Sequence, residues 1–439
     1  MSSPLFAEAE AAFNAQRFDE VGRRCQAILA AEPNHAGALR LMGIAAARTG
    51  RLDLARRALD HALRLEPDRF EVASWLGAVL QRLGEFDEAR AVFSRCVELD
   101  PGSWTSYLGI FRGQRMTSSD RPLVDRAIAL LPSLESEDDR RQLAYGIAKS
   151  LDDLGDYALA AEYCEGANRL AAALQKPVGM DRELYGRRIR RMSSGITPRR
   201  LQEFSHLGSG DRRPIFIVGM IRSGTTLVEQ IVSAHPQVAA GDELRFWVEK
   251  GPAVVSEAFN ADLAADLAME YRALLERIGR GRPRVTDKMP LNYMLLGLLH
   301  LLFPEAPIIH CKRNPADTCV SIYMTPFAAP PPDFAYDRGD IEFAYREYRK
   351  AMDYWKSILP EGRIYEVEYE ELTSQPEPAI RDLVAHCGLP WDDGCLRPQE
   401  NPRAVDTPSR WQVRQPIYTR SGGRSSHYPQ WFSGLRDNG

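Results

Sequence analysis

The sequence predicts two architectures in one chain: an all-α solenoid, then a three-layer α/β domain of P-loop-like form with a mainly parallel sheet. Three observations predict it. Pro33, Pro67 and Pro101 recur every 34 residues, each directly behind an acid (Glu32, Glu66, Asp100). From Pro214 onward, short apolar runs alternate with helical segments, as in buried parallel strands joined by helices. Between the two, residues 173–213 carry ten Lys/Arg against four Asp/Glu, whereas residues 1–172 carry 21 against 26. The expected division is therefore a repeat domain at 1–172, a basic linker at 173–213, the α/β domain at 214–427 and a C-terminal tail at 428–439.

The repeat is justified position by position. Gly43 and Gly77 share the 34-residue interval, as do Gly50 and Gly84, Ala55 and Ala89, and Leu59 and Phe93. Small residues let two helices cross closely, and proline ends the second helix of each unit. The pattern resembles the tetratricopeptide (TPR) repeat. It places units at 2–35, 36–69 and 70–103, with a weaker one at 139–172, where "LGDY" (154–157) echoes "LGEF" (83–86). The stretch 104–138 is degenerate but helical in pattern. Such an array presents a concave surface to a peptide, a partner protein or a second copy of itself.

Composition narrows the classes. With 44% hydrophobic and 26% charged residues, the 439-residue chain reads as an ordinary globular protein. A net charge of −4 gives no ground for nucleic acid as a partner. There is no run of about 18 apolar residues for a membrane span. The start "MSSPLFAEAEAAFNAQRFDE" lacks the form of a secretory signal. Seven dispersed cysteines without a C-x-x-C pair predict reduced thiols, a cytoplasmic location and no metal site. The basic run "GRRIRRMSSGITPRR" (186–200) reads either as a solvated helix face or as positive potential beside an anionic ligand.

The α/β domain opens on "IFIV" (215–218), the turn "GMIRSGTT" (219–226) and the helix start "LVEQIVSAH". Measured against G-x-x-x-x-G-K-[ST], Gly219 and Gly224 are in place, but Thr225 stands where the lysine belongs. The free amides of a helix start and its dipole favour an anion there. Arg222 adds a permanent charge, and Thr225 and Thr226 add hydroxyls. A nucleoside-triphosphate site would need the lysine and a strand-end acid for Mg²⁺. The strand "PIIHCKR" (307–313) ends in Cys-Lys-Arg instead.

"RSGTTL" (222–227) resembles the 5′-phosphosulfate loop of sulfotransferases, above all the tyrosylprotein sulfotransferases and a bacterial group that joins TPR repeats to a sulfotransferase domain. The resemblance implies 3′-phosphoadenosine 5′-phosphosulfate (PAPS) as donor, PAP as product and no metal. It implies that Arg222, Ser223, Gly224, Thr225 and Thr226 cradle the donor. Ile221 departs from the family, where proline commonly precedes the arginine. "HPQVAAGDEL" (235–244) is similar to the segment that carries the base, which falls on Glu243, with Asp242 as its rival. "TDKMPLNY" (286–293) places Lys288 where the family neutralises the departing phosphate oxygen. "KRNPADTCVSIYM" (312–324) resembles the 3′-phosphate clamp, with Arg313 and Ser321 as its arginine and serine. "TPSRWQVRQPIYTRSGGR" (407–424) resembles a late S-x-x-Q-V segment, giving Ser409 a catalytic place and Arg424 a phosphate contact; Arg410 and Trp411 do not match.

The implied reaction is in-line sulfuryl transfer to an acceptor hydroxyl. Glu243 acts as base, Arg222 steadies the sulfuryl oxygens, and Lys288 and Ser409 stabilise the leaving oxygen. A peptide tyrosine is the acceptor the resemblance suggests. A glycan or small-molecule hydroxyl, a P-loop kinase-like enzyme and a non-catalytic TPR scaffold stay open. "PFAAPPPDFAYDRGD" (326–340) reads as a loop over the acceptor cleft or as a surface loop without a specific role.

Overall fold

The computed structural model describes residues 4–174, 179–255, 259–327, 330–401, 403, 411–419 and 422–435. The chain separates into two compact units, Met1–Leu170 with Arg403–Trp411, and Ala171–Pro402 with Gln412–Gly439.

Among the described residues, the regular elements of the first unit are all helices. Helix pairs Pro4–Asn14/Phe18–Ala31, Ala36–Arg48/Leu52–Leu65 and Phe70–Leu83/Phe86–Leu99 follow the 34-residue period. Trp104–Gly113 and Arg121–Leu130 follow, then the pair Glu137–Leu154/Tyr157–Leu174. One apolar cluster of this unit includes Leu59, Leu76, Phe93, Phe111 and Ile147, and a second, among the first helices, includes Val21, Ile28 and Leu41. The repeated glycines are places of close approach. A Cβ on Gly77 would lie 2.7 Å from the Phe93 ring, and one on Gly109 would meet the same ring at 2.7 Å. Phe93 therefore sits between two helices that both yield space to it.

The second unit is built on a five-stranded sheet. Its strands are β1 (Pro214–Gly219), β2 (Val238–Ala240), β3 (Arg284–Asp287), β4 (Ile308–Lys312) and β5 (Ile364–Glu368). Their order is β2-β3-β1-β4-β5 and every pairing is parallel. Alternation gives the sheet two buried faces. Ile215, Ile217, Ile309 and Cys311 pack with Val228 and Ile231 of helix Thr225–Ser233 and Leu383 of helix Pro376–His386. On the other face, Phe216 lies 6.2 Å from the rings of Tyr271 and Phe303, and His310 lies 5.8 Å from Tyr348. Tyr271 belongs to helix Ala261–Gly279 and Tyr348 to helix Arg338–Ile358, so helices cover both faces. After β1 the chain moves to one side of the sheet, and after β4 to the other. The strand order reverses there, which makes the carboxyl ends of β1 and β4 the crevice where such sheets hold ligands.

The basic stretch 173–213 contains helices Arg182–Ser194 and Pro198–Glu203. Arg182 pairs with Asp340 at 2.6 Å and Arg190 with Glu347 at 3.3 Å. The Tyr354 hydroxyl donates to the Ile196 carbonyl at 2.8 Å. Part of the positive charge thus meets acids of helix Arg338–Ile358. In the 326–340 segment, Phe334 is buried edge-on against Tyr185, 5.9 Å between ring centres. Among the described residues, no helix is long and apolar enough to cross a membrane.

The Phe93 contact yields a test of the repeat packing. Gly77→Val should destabilise the chain by about 1–3 kcal/mol through overpacking against that ring. Calorimetry should show a lowered Tm, and Phe93→Leu in the same chain should recover part of the loss.

Candidate active site

The loop after β1 is shaped by unusual backbone angles. A Cβ on Gly219 would lie 2.6 Å from the Cys311 carbonyl oxygen, and Gly224 has φ 99°, where a Cβ would lie 2.6 Å from the Tyr369 ring. Arg222, between them, takes φ 69°, a left-handed conformation that few non-glycine residues adopt. Gly224 opens helix Thr225–Ser233 without any side-chain cap. Buried Ser223 has a hydroxyl with no hydrogen-bond partner among the described residues.

Three arginines from three elements meet at this loop. Arg222 donates from Nε to the Ser321 hydroxyl at 3.2 Å. Arg313, just past β4, donates from Nη1 to the Arg222 carbonyl at 3.2 Å and lies 4.8 Å over the Tyr369 ring. Arg424, on the short turn Arg424–His427, is close enough that its charge is felt at Arg222. Desolvation, then the charges of Arg313 and Arg424, pull the Arg222 guanidinium down to about 10. It stays protonated at neutral pH, so like charges are held together around a hydroxyl and a helix start. An anion would relieve that repulsion.

A second group lies at the ends of β2 and β3. Fully buried Lys288 donates from Nζ to Glu243 Oε1 at 2.7 Å, while the Glu243 side chain is half exposed. The turn that carries Glu243 is fixed from below. Asp242 has φ 59°, its amide donates to Glu229 Oε1 at 3.1 Å, and its carbonyl accepts from the Lys288 amide at 3.0 Å. Thr286 donates its hydroxyl to the same Glu229 oxygen at 2.8 Å. The lysine bond thus goes to Glu243, while Asp242 enters these contacts through its main chain.

The structure brings Arg222, Ser223, Gly224, Thr225, Thr226, Arg313, Ser321 and Arg424 to one loop region, with Glu243 and Lys288 paired at adjacent strand ends. Ser409 lies outside the described residues. Among the described residues, no group of three or more His, Cys, Asp or Glu side chains could hold a metal ion.

Several participants were not singled out from sequence. Glu229 is a fully buried acid inside the helix run "LVEQIV" (227–232), and an acid amid apolar neighbours was the available signal. Asp287 is fully buried and accepts from the Tyr271 hydroxyl at 2.6 Å and from Asn292 at 3.3 Å. Burial pushes its carboxyl up to about 7. Under the loop, His310 joins Glu366 (Nδ1 to Oε1, 3.0 Å) to the Tyr348 hydroxyl.

A helical-repeat unit and a parallel α/β domain, with an arginine-lined loop at the switch point of its sheet, define the class of protein. Residues 214–393 match the sulfotransferase family, and residues 40–103 match the tetratricopeptide repeat. The chain therefore carries a sulfotransferase-family domain together with a TPR segment. An uncharacterized protein of Aquifex aeolicus is 33% identical over 343 residues, covering 73% of this chain and 44% of that protein. Protein-tyrosine sulfotransferase 1 of Danio rerio is 27% identical over 202 residues, covering 42% of this chain and 56% of the relative. Nodulation protein NoeE of Sinorhizobium fredii is 27% identical over 212 residues, covering 39% and 49%. The chain thus spans about half the length of the curated relatives it matches. A solved sulfotransferase domain from the Synechococcus PCC 7002 olefin synthase is 21% identical, with a TM-score of 0.39, covering 50% of this chain and 89% of that domain.

Asp287 makes stability depend on pH. Its folded carboxyl titrates near 7 against an ordinary 3.8, so the folded state binds the proton more tightly. Its contribution is greatest in acid and is lost as pH rises from about 4 to about 7. Asp287→Asn should remove that loss: urea midpoints of variant and wild type should diverge in the variant's favour between pH 5 and pH 8.

Proposed function

We propose that this chain transfers a sulfuryl group from PAPS to an acceptor hydroxyl, with a peptide tyrosine as the acceptor class. The observation that carries the reading is the convergence of Arg222, Arg313 and Arg424 with Ser321 on the loop after β1, beside the Glu243–Lys288 pair. The relatives named protein-tyrosine sulfotransferases support the reaction and the acceptor class.

The donor carries two anionic ends, and the site offers charge for both. The loop amides, Ser223, Thr225 and Thr226 take the 5′-phosphosulfate. Arg313, Ser321 and Arg424 take the 3′-phosphate, a group that ATP lacks; guanidinium–phosphate contacts are among the stronger hydrogen bonds. Thr225 in place of the P-loop lysine, and Lys312-Arg313 in place of a strand-end acid, argue against a metal-bound triphosphate.

In the transfer, the acceptor oxygen attacks sulfur in line with the bond to the bridging phosphate oxygen. Glu243 takes the hydroxyl proton as the new S–O bond forms and the old one breaks, releasing PAP and the sulfate ester. Before reaction Glu243 and Lys288 form an ion pair. Protonation of Glu243 ends that pairing and leaves the ammonium to the oxygen from which sulfur departs. Arg222 meets the charge on the sulfuryl oxygens.

Two variants separate chemistry from binding. Glu243→Gln should bind 3′,5′-adenosine bisphosphate as the wild type does and lose about 10²–10⁴-fold in kcat. Wild-type turnover in that variant would remove Glu243 from the role of base. Arg313→Ala should weaken bisphosphate binding by about tenfold to a hundredfold in calorimetry, since a charged hydrogen bond is worth ~1.5–3 kcal/mol. Transfer of labelled sulfate to peptide, glycan and phenol acceptors reads the acceptor class, and a peptide without tyrosine serves as the control.

A further inference from the structure

Helix Pro315–Tyr323 supplies Ser321 to the arginine cluster, and four residues earlier it carries an acid that the reaction does not use. Asp317 is almost fully buried. Its own amide is capped by Asn314 Oδ1 at 3.0 Å, so the start of the helix is served by Asn314. Both oxygens of the Asp317 carboxylate instead turn to a segment more than a hundred residues later. The Gly423 amide donates to Oδ2 at 2.6 Å and the Ser425 amide donates to Oδ1 at 2.7 Å. These two amides flank Arg424.

We infer that Asp317 is a positioning residue that aims Arg424 at the donor phosphate by gripping the main chain on both sides of it. The inference rests on the PAPS reading for the identity of the ligand. A carboxylate beside a phosphate site would oppose the anion if it faced the ligand. With both oxygens engaged by main-chain amides, Asp317 instead turns its charge into strong, short bonds that fix a turn. Gly423 takes φ 74°, which folds the chain back so that both amides reach one carboxylate. Beyond the turn the tail is held separately: Trp431 stacks on Tyr428 at 4.5 Å and meets Tyr323, at the far end of the same helix, edge-on at 5.0 Å. Loss of the Asp317 grip therefore leaves the tail docked and frees only the turn that bears Arg424.

The test compares Asp317→Asn, Gly423→Val, Arg424→Ala and the two double variants with Arg424→Ala, in the full chain. Gly423→Val strains the turn without touching the buried acid, because a Cβ there meets nothing within 4 Å. Each single variant should weaken 3′,5′-adenosine bisphosphate binding by about tenfold, close to one charged hydrogen bond. KM for PAPS should rise more than kcat falls. Each double variant should be no weaker than Arg424→Ala alone, because the grip acts only through that arginine. Hydrogen exchange should quicken at residues 423–425 in Asp317→Asn and stay unchanged at 428–431. If Asp317→Asn binds like wild type while Arg424→Ala does not, or if the losses add in full, the positioning role is overturned. If the wild type binds no bisphosphate, the donor reading falls, and the exchange pattern then reports the grip alone.

Discussion

The hydrogen bond from Arg313 to the Arg222 carbonyl ties the end of β4 to the loop after β1. Those strands are neighbours paired through Gly219 and Cys311, and their helices leave toward opposite sides of the sheet. The bond closes the gap that this divergence opens, and it brings one guanidinium close to another. Arg222 is kept in a left-handed conformation, and its side chain is turned to Ser321 on the helix that follows β4. Backbone strain and like-charge repulsion of this kind persist only where surrounding structure fixes them. Here the fixing comes from Arg313 on the Arg222 carbonyl and from Ser321 on its side chain.

The same logic governs the ends of β2 and β3. A buried lysine beside a half-exposed carboxylate is stable only if the turn bearing that carboxylate cannot drift. Glu229 supplies the restraint by accepting from both the Asp242 amide and the Thr286 hydroxyl. The Glu243–Lys288 pair thus rests on a buried acid that holds the turn and the strand end around it.

Sequence periodicity revealed the helical repeat because its contacts are local and recur: Gly77 and Phe93 lie sixteen residues apart and are echoed one unit earlier by Gly43 and Leu59. The loop after β1 was legible for a similar reason, since glycines, arginine and threonines stand within eight residues. Legibility ended where the structure depends on distant pairing. Asp317 meets amides more than a hundred residues away, and Arg182 meets Asp340 across 158. No spacing rule spans such gaps. Glu229 was hidden differently: its neighbours mark a core helix, and only the folded turn above it shows why an acid is buried there.

The ring of Phe93, shared between Gly77 and Gly109, also bears on how such an array can change. Each large side chain on one helix answers to missing side chains on its neighbours, so the solenoid has a grain. An insertion inside one of these helices puts a ring opposite a filled position, whereas a whole added unit keeps the match. Across the three regular pairs the natural increment is thus one helix pair, and any surface those pairs present would grow in that step.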